Sequence, residues 1–234
     1  NYLLVADVAR GDGSDYSVFH LLKLQTMEVV GEYQGKPSLS DFALLLSNTG
    51  REFGNCLLVV ENNSLGISVL EKLQEMEYPN LYYSEKGSHN YASPTEAYRD
   101  NVVPGFTTSS KTRPLIIAKL EEFIRNKLII LYSQRVINEF KTFVWQNNRA
   151  QAMRSYHDDL VMSLAIACWV KDTALTINQR ELQYKKAMVN SMFSTQGKFN
   201  TTIAGMEGHK IQSFSQETMD RKAQYDNFVW LLKG

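Results

Sequence analysis

The apolar positions begin at once. Tyr2–Val8 is a strand-like run with no leader before it, as expected of a domain cut from a longer polypeptide. A polar turn, Arg10-Gly-Asp-Gly-Ser-Asp15, separates it from a second strand, Tyr16–Leu24, and a third lies near Glu28–Gln34. Turns this short join antiparallel neighbours, so the three predict a meander. Ser38-Leu-Ser-Asp41 has capping-box form and predicts a helix to about Arg51. Cys56–Glu61 is a continuous apolar run of the kind buried on both faces of a sheet. Asn63-Ser64 predicts the cap of a helix reaching about Glu77, and a short strand follows at Leu81–Tyr83.

Three antiparallel strands followed by helix, strand, helix, strand restrict the topology. A right-handed crossover puts the fourth strand parallel to the first and beside it. The expected fold is α/β: a mixed five-stranded sheet of order 3-2-1-4-5, with strand 2 antiparallel, flanked by helices. Residues 84–110, rich in Gly, Pro and Ser, are too long for a simple connection and read as a binding loop. Pro114 sits at the start of a helix to about Arg125, Leu128–Tyr132 is strand-like, and a last strong helix runs from about Asp158 to Lys171. Beyond Thr173 the chain turns polar and ends on an apolar tag, Phe228–Leu232. The division is a core at 1–175 and an appendage at 176–234, with no internal repeat.

Composition narrows the class. With 234 residues, 44% of them hydrophobic, the chain is long enough for one good core and something smaller, and is not a disordered or fibrous chain. Cys56 and Cys168 lie inside apolar runs and read as buried free thiols, not a disulfide framework or a zinc site. No stretch has the apolar length of a membrane span and no signal peptide opens the chain, so a cytoplasmic, non-secreted protein is expected. Net charge is zero, but its distribution is uneven. Residues 1–83 carry 5 Lys/Arg against 11 Asp/Glu, and residues 84–154 carry 11 against 6. Such a swing is either ordinary solvated surface or one site where carboxylates hold cations and basic side chains hold phosphates.

The carboxylates sharpen that choice. Asp7 interrupts LLVADVA, and Glu61 ends LLVVE. A charge in either run needs compensation, whether from a buried ion pair, a turn cap or a metal. The crossover rule makes these strands neighbours, so the two carboxylates sit side by side and repel unless a cation lies between them. His157-Asp158-Asp159 heads the last helix, where aspartate is also a standard cap. Asp15 closes the first turn, as a plain turn residue or one pointing back toward Asp7. Oxygen ligands without a Cys or His pair suit Mg²⁺ or Mn²⁺. Two such ions can clamp the attacking water and the leaving oxygen of a phosphodiester. Lys111, Arg113, Lys119, Arg125 and Lys127 flank the loop and helix after the carboxylate strands and are expected along a DNA path. Helical spacing puts Asp158 nearer the apolar face, whereas a capping duty for Asp158 would leave Asp159 as the metal ligand.

The strand order, the DxxxGxGxDYS turn from Asp7, the LLVVENN strand end, PGFTTSSKTRP (Pro104–Pro114) and HDDLVMSLAIA (from His157) together resemble the nuclease domain of the large terminase subunit of tailed bacteriophages, T-even-like in type. The resemblance covers roughly residues 1–172. It implies an RNase H-like fold and a metal-dependent endonuclease that cuts double-stranded viral DNA, mostly without sequence preference, during genome packaging in the cytoplasm of the infected host. It maps metal ligands onto Asp7, Glu61 and the Asp158/Asp159 pair, with Asp159 principal and Asp15 supporting. It also implies two Mg²⁺ or Mn²⁺ ions. The implied partners are the ATPase domain of the same polypeptide, the portal and the small terminase subunit. No GxxxxGK[ST] phosphate loop is present, so the resemblance implies cutting without translocation. Other carboxylate nucleases, of resolvase or transposase type, share every residue argument. An actin-like ATPase would need a second phosphate loop, a glycosidase pair would leave the third acid unexplained, and a non-catalytic docking module would bind Mn²⁺ weakly or not at all.

Overall fold

In the computed structural model, β1 (Tyr2–Asp7), β2 (Ser17–Lys23) and β3 (Glu28–Gly35) form the expected antiparallel meander. The structure describes residues 1–9, 15–63, 65–86, 91–92, 100–146 and 149–172, together with residue 186. The chain divides into Asn1–Lys186 and Ala187–Gly234, and every described residue falls in the first unit. The turn at 10–14, the cap candidate Ser64, the expected boundary at 175/176 and the tail at 176–234 with its apolar end lie outside the described residues, residue 186 excepted.

α1 (Leu39–Glu52) starts where its capping signal predicts: Ser38 Oγ accepts from Asp41 N–H at 3.1 Å and donates to the Asp41 carboxylate at 2.7 Å. β4 (Leu57–Val60) then returns parallel to β1, pairing Leu3 with Leu57 through to Ala6 with Val60. The sheet order is β3-β2-β1-β4. β1 up to Ala6 and all of β4 are apolar because alternate residues feed two different cores. Leu3, Val5, Leu57 and Val59 pack with α3 (Thr112–Arg125) and with a helix over residues 159–172, here α5. Leu4, Ala6, Leu58 and Val60 pack with α1 and α2 (Gly66–Glu75). The architecture is three layers, helix–sheet–helix. Both cysteines are buried free thiols, and among the described residues no helix is long and apolar enough to cross a membrane.

The expected fifth strand is reduced. Leu81 makes a single parallel bridge to Leu58 on the far edge of β4, and beyond it the chain turns into a second, small sheet. That sheet, β5 (Tyr83–Glu85), β6 (Tyr91–Ala92) and β7 (Val102–Pro104) in order β6-β5-β7, starts on the last residue of the expected fifth strand and otherwise occupies the stretch 84–110 expected as a loop. Phe106 bridges Glu61 further along β4, so the β4 edge is covered in two places by different segments. The strand-like Leu128–Tyr132 likewise supplies one bridge, Ile130 to Glu28, at the other edge of the sheet. Two features were not read from sequence: α4 (Gln134–Thr142), and a hairpin of β8 (Phe143–Gln146) and β9 (Arg149–Ala152).

Two glycines hold the end of β4. A Cβ on Gly66 would stand 1.7 Å from the Glu61 carbonyl oxygen, and one on Gly105, which has φ +81°, would stand 2.5 Å from the Val60 oxygen. Gly66→Ala should therefore destabilise the protein by about 1–3 kcal/mol, the usual cost of overpacking, and displace Glu61. Chemical denaturation checks this, and unchanged stability would show that the turn has slack.

Candidate functional site

The parallel ladder of β1 and β4 sets the first pair of acids. Glu61 N–H donates to the Ala6 oxygen at 2.9 Å, so the register that pairs Ala6 with Val60 brings Asp7 beside Glu61 at the ends of the two strands. Glu61 is buried and Asp7 half-buried. Asp7 is held well above the usual carboxylate range by burial, then by the charge of and the hydrogen bond with Glu61, then by Asp159 and Asp158. Asn63, expected near the cap of α2, has a different task. Its amide donates to Glu61 Oε1 at 2.8 Å and to the Thr108 oxygen at 3.2 Å, tethering Glu61 to the loop before α3. The cap residue of α2 is Leu65, which offers no side-chain acceptor.

The third acid arrives on α5. Asp159 Oδ2 accepts from Tyr16 N–H at 2.9 Å, across the start of β2. Its pKa is pushed up to about 6, chiefly by burial. The Tyr16 hydrogen bond opposes that rise, the charges of Asp15 and Asp158 add to it, and His157 opposes it. Asp158 is occupied differently: its carboxylate pairs with Arg113 of α3. The capping duty expected of the Asp158 side chain belongs instead to Glu139 of α4, whose Oε2 accepts from Leu160 N–H at 3.0 Å and Val161 N–H at 3.2 Å. Asp158 contributes only its backbone oxygen, to Met162 N–H at 2.8 Å. Glu139 is buried, and its pKa is pushed up to about 7, chiefly by that burial. Further down α5, Ser163 Oγ reaches the Val5 oxygen and His20 Nδ1, each at 3.1 Å, fixing the helix against β1 and β2.

Asp15 is exposed, with Oδ1 3.5 Å from His157 Nδ1. Asp15, His157 and Asp159 each offer one ligand atom, all within 4.8 Å of one another. His157 was read only as a neighbour of the aspartates, and its ring nitrogen adds a donor to a site expected to be all oxygen.

The basic residues divide. Arg113 is drawn into the site, donating through Nε to the Ala150 oxygen at 3.2 Å besides pairing with Asp158. It lines a cavity of about 380 Å³ together with Glu61, Asn63, Ser109, Trp145 and Arg149. Lys111 is exposed at the same end of α3. Ser109 holds that end by accepting from Lys111 N–H and Thr112 N–H at 3.2 and 3.1 Å. Arg125 lies twelve residues beyond Arg113, roughly 18 Å along the helix. It pairs with Glu121, and exposed Lys127 follows the helix end. Lys119 pairs with Glu122 and Asp172 at 2.8 and 3.0 Å. Of these five, only Lys111 and Arg113 therefore stand near the acids.

No family model matches the chain. It is 25% identical over 173 residues to a large terminase subunit of Thermus virus P23-45, a match covering 71% of this chain and 31% of that protein. The chain thus spans about a third of that relative. Its structure is similar to the large terminase nuclease of thermophilic phage G20c, solved with bound magnesium: TM-score 0.56, 21% identity, covering 71% of this chain and 79% of that one. It is also similar to the large terminase nuclease domain of Thermus phage P74-26, with TM-score 0.53, 22% identity and coverage of 71% and 77%. The fold is that of a large terminase nuclease domain. Within the terminase-nuclease fold, the acids described above sit where β1, β4 and α5 meet, at the open ends of the parallel strands.

The raised acids give a signed pH dependence. An unfolded carboxyl loses its proton near pH 4, whereas folded Asp159 keeps its proton to about 6 and Glu139 to about 7, and Asp7 is also raised. Between about pH 4 and 7 the folded chain binds the extra protons, so stability is fullest below the unfolded values and falls as pH rises through this window. In the presence of chelator, Asp7→Asn, which has no proton to lose, should lose less stability than the unsubstituted chain across that range. Urea denaturation at several pH values checks it, and parallel losses would show that Asp7 is already compensated.

Proposed function

We propose that this chain is a metal-dependent endonuclease domain that hydrolyses phosphodiester bonds of double-stranded viral DNA during genome packaging. The observation that carries the reading is the Asp7–Glu61 pair, two carboxyl groups set side by side at neighbouring strand ends, with Asp7 held up by burial and by the charges of Glu61, Asp159 and Asp158. Structural proteins rarely bury acids this way without a counter-charge, and a divalent cation supplies one. The donor set fits: Asp7, Glu61 and Asp159 would hold Mg²⁺ or Mn²⁺, two ions in all, with Asp15 and Asp158 in support. When bound, such ions neutralise charge on the phosphate and ease deprotonation of water. The magnesium in the G20c nuclease structure supports this choice.

The chain's own residues supply the rest. Asn63 fixes the Glu61 carboxylate, Tyr16 N–H fixes Asp159, and Arg113 with Lys111 meets phosphates without reading sequence. Lys119, Arg125 and Lys127 extend the same path along α3. Leu81, bridging Leu58, completes the RNase H-like order 3-2-1-4-5 as a minimal fifth strand. The core closes by residue 175, so removal of 176–234 leaves it folded. In the longer polypeptide the domain works beside an ATPase domain, the portal and a small terminase subunit, in the cytoplasm of the infected host.

The purified chain should nick plasmid DNA with Mg²⁺ or Mn²⁺ and stop with chelator. Asp7→Ala, Glu61→Ala and Asp159→Asn should each abolish cutting, while Asp158→Asn, which acts through Arg113, should reduce it about 10–100-fold. Full activity of Asp7→Ala would sink the assignment. A chain that binds Mn²⁺ weakly and never cuts would be a docking module. Lys111→Ala with Arg113→Ala should lower the salt slope of duplex binding by about 2, one for each phosphate no longer neutralised.

A further inference from the structure

Much of the cavity beside Glu61 is lined by residues that the metal site does not use. One wall is the β8–β9 hairpin, where Trp145 and its cross-strand partner Ala150 both face the cavity lining. Trp145 is 66% exposed, a large apolar ring left in water. Arg149 stands beside them and makes no ion pair among the described residues. The opposite wall is the loop before α3, with Thr108, Ser109 and Ser110. The Thr108 hydroxyl is buried with no hydrogen-bond partner, a donor that a polar ligand could satisfy. At about 380 Å³ the cavity falls in the lower part of the range, roughly 300–1,000 Å³, that takes a small molecule, and a duplex cannot enter it.

We propose that this cavity receives one unstacked nucleotide of the DNA strand next to the cut, with its base on Trp145 and its phosphate toward Arg149. The chemistry of the walls selects that ligand. An exposed indole offers a face on which any base can stack, whatever its identity, and an arginine beside it offers a phosphate contact. A base within a duplex has both faces covered by its neighbours and can meet Trp145 only after leaving the stack. Glu61 forms part of the same lining, so the bound nucleotide lies against one member of the acidic pair. The domain therefore favours DNA that is frayed, mismatched or already single-stranded near the cut. The inference rests on the nuclease reading only in taking DNA as the ligand.

The test is binding of a fluorescently labelled eight-nucleotide oligo(dT) and of a thirty-base-pair duplex by the full chain, with chelator present so that nothing is cut. Trp145→Ala should weaken oligo(dT) binding roughly tenfold, Trp145→Phe should retain most of it, and duplex affinity should change less than twofold. Arg149→Ala should reduce the salt slope for oligo(dT) by about 0.7, the single-strand value for one phosphate. Absence of oligo(dT) binding, an affinity within twofold after Trp145→Ala, or equal losses for both DNAs would overturn the proposal. A chain that shows the Trp145 effect yet never cuts DNA with Mg²⁺ or Mn²⁺ keeps this site and loses the nuclease reading.

Discussion

Two carboxyl groups forced side by side by a parallel strand pair set the terms for the rest of the structure. β1 and β4 are packed on both faces, so neither strand has room for a charge along its length. Their ends are the first positions where one is tolerated, and the ladder that pairs Ala6 with Val60 brings Asp7 and Glu61 to the same place. Open parallel sheets put ligands at this edge for the same reason. The crowding falls on Asp7, which burial and the neighbouring Glu61 hold well above its ordinary ionisation. The close approach of Gly105 to the Val60 oxygen, that of Gly66 to the Glu61 oxygen and the Asn63 tether all converge on the end of β4, fixing the position of Glu61.

Around that pair, single side chains join separate elements. Arg113 ties α3 to α5 through Asp158 and to β9 through the Ala150 oxygen. Glu139 ties α4 to the first turn of α5, and Tyr16 ties β2 to Asp159. The acidic first third and the basic middle of the sequence thus meet at one end of α3, but only in part. Of the five basic residues expected there, two stand at that end, while Lys119 and Arg125 have acidic partners on their own helix surface. Charge segregation along a chain indicates that opposite surfaces exist. It does not say which charges are already satisfied locally.

The core was legible because its signals are local. β1 to β4 are apolar runs with clear turns, and Ser38 caps α1 as its spacing predicts. The crossover rule then converts order into adjacency, which is how Asp7 and Glu61 were paired from sequence. The edges were less legible. Leu81 and Ile130 contribute one bridge each, and a strand-like run cannot announce whether its partner will pair for one residue or five. α4 has a capping signal, Ser133 accepting from Val136 N–H at 3.4 Å, but its apolar pattern is weak because its buried positions include the polar Glu139. The hairpin carried a usable signal, two asparagines between β8 and β9, yet its half-exposed strands have little apolar pattern.

Two opposed readings bear on the choice within the aspartate pair. Helix periodicity favoured Asp158 for the inner face, and the capping argument favoured Asp159 by giving Asp158 another task. The structure gives Asp158 a different occupation, a guanidinium in place of backbone N–H groups, because Glu139 has already taken those donors. The electrostatic consequence is sharper than the capping argument foresaw. A carboxylate paired with Arg113 has its charge answered and gains little from a cation. Asp159 accepts one N–H, faces Asp15 and Asp158, and has its pKa pushed up to about 6. Free energy released on cation binding is largest where charge is least compensated, which is why the proposed ligands include Asp159 ahead of Asp158.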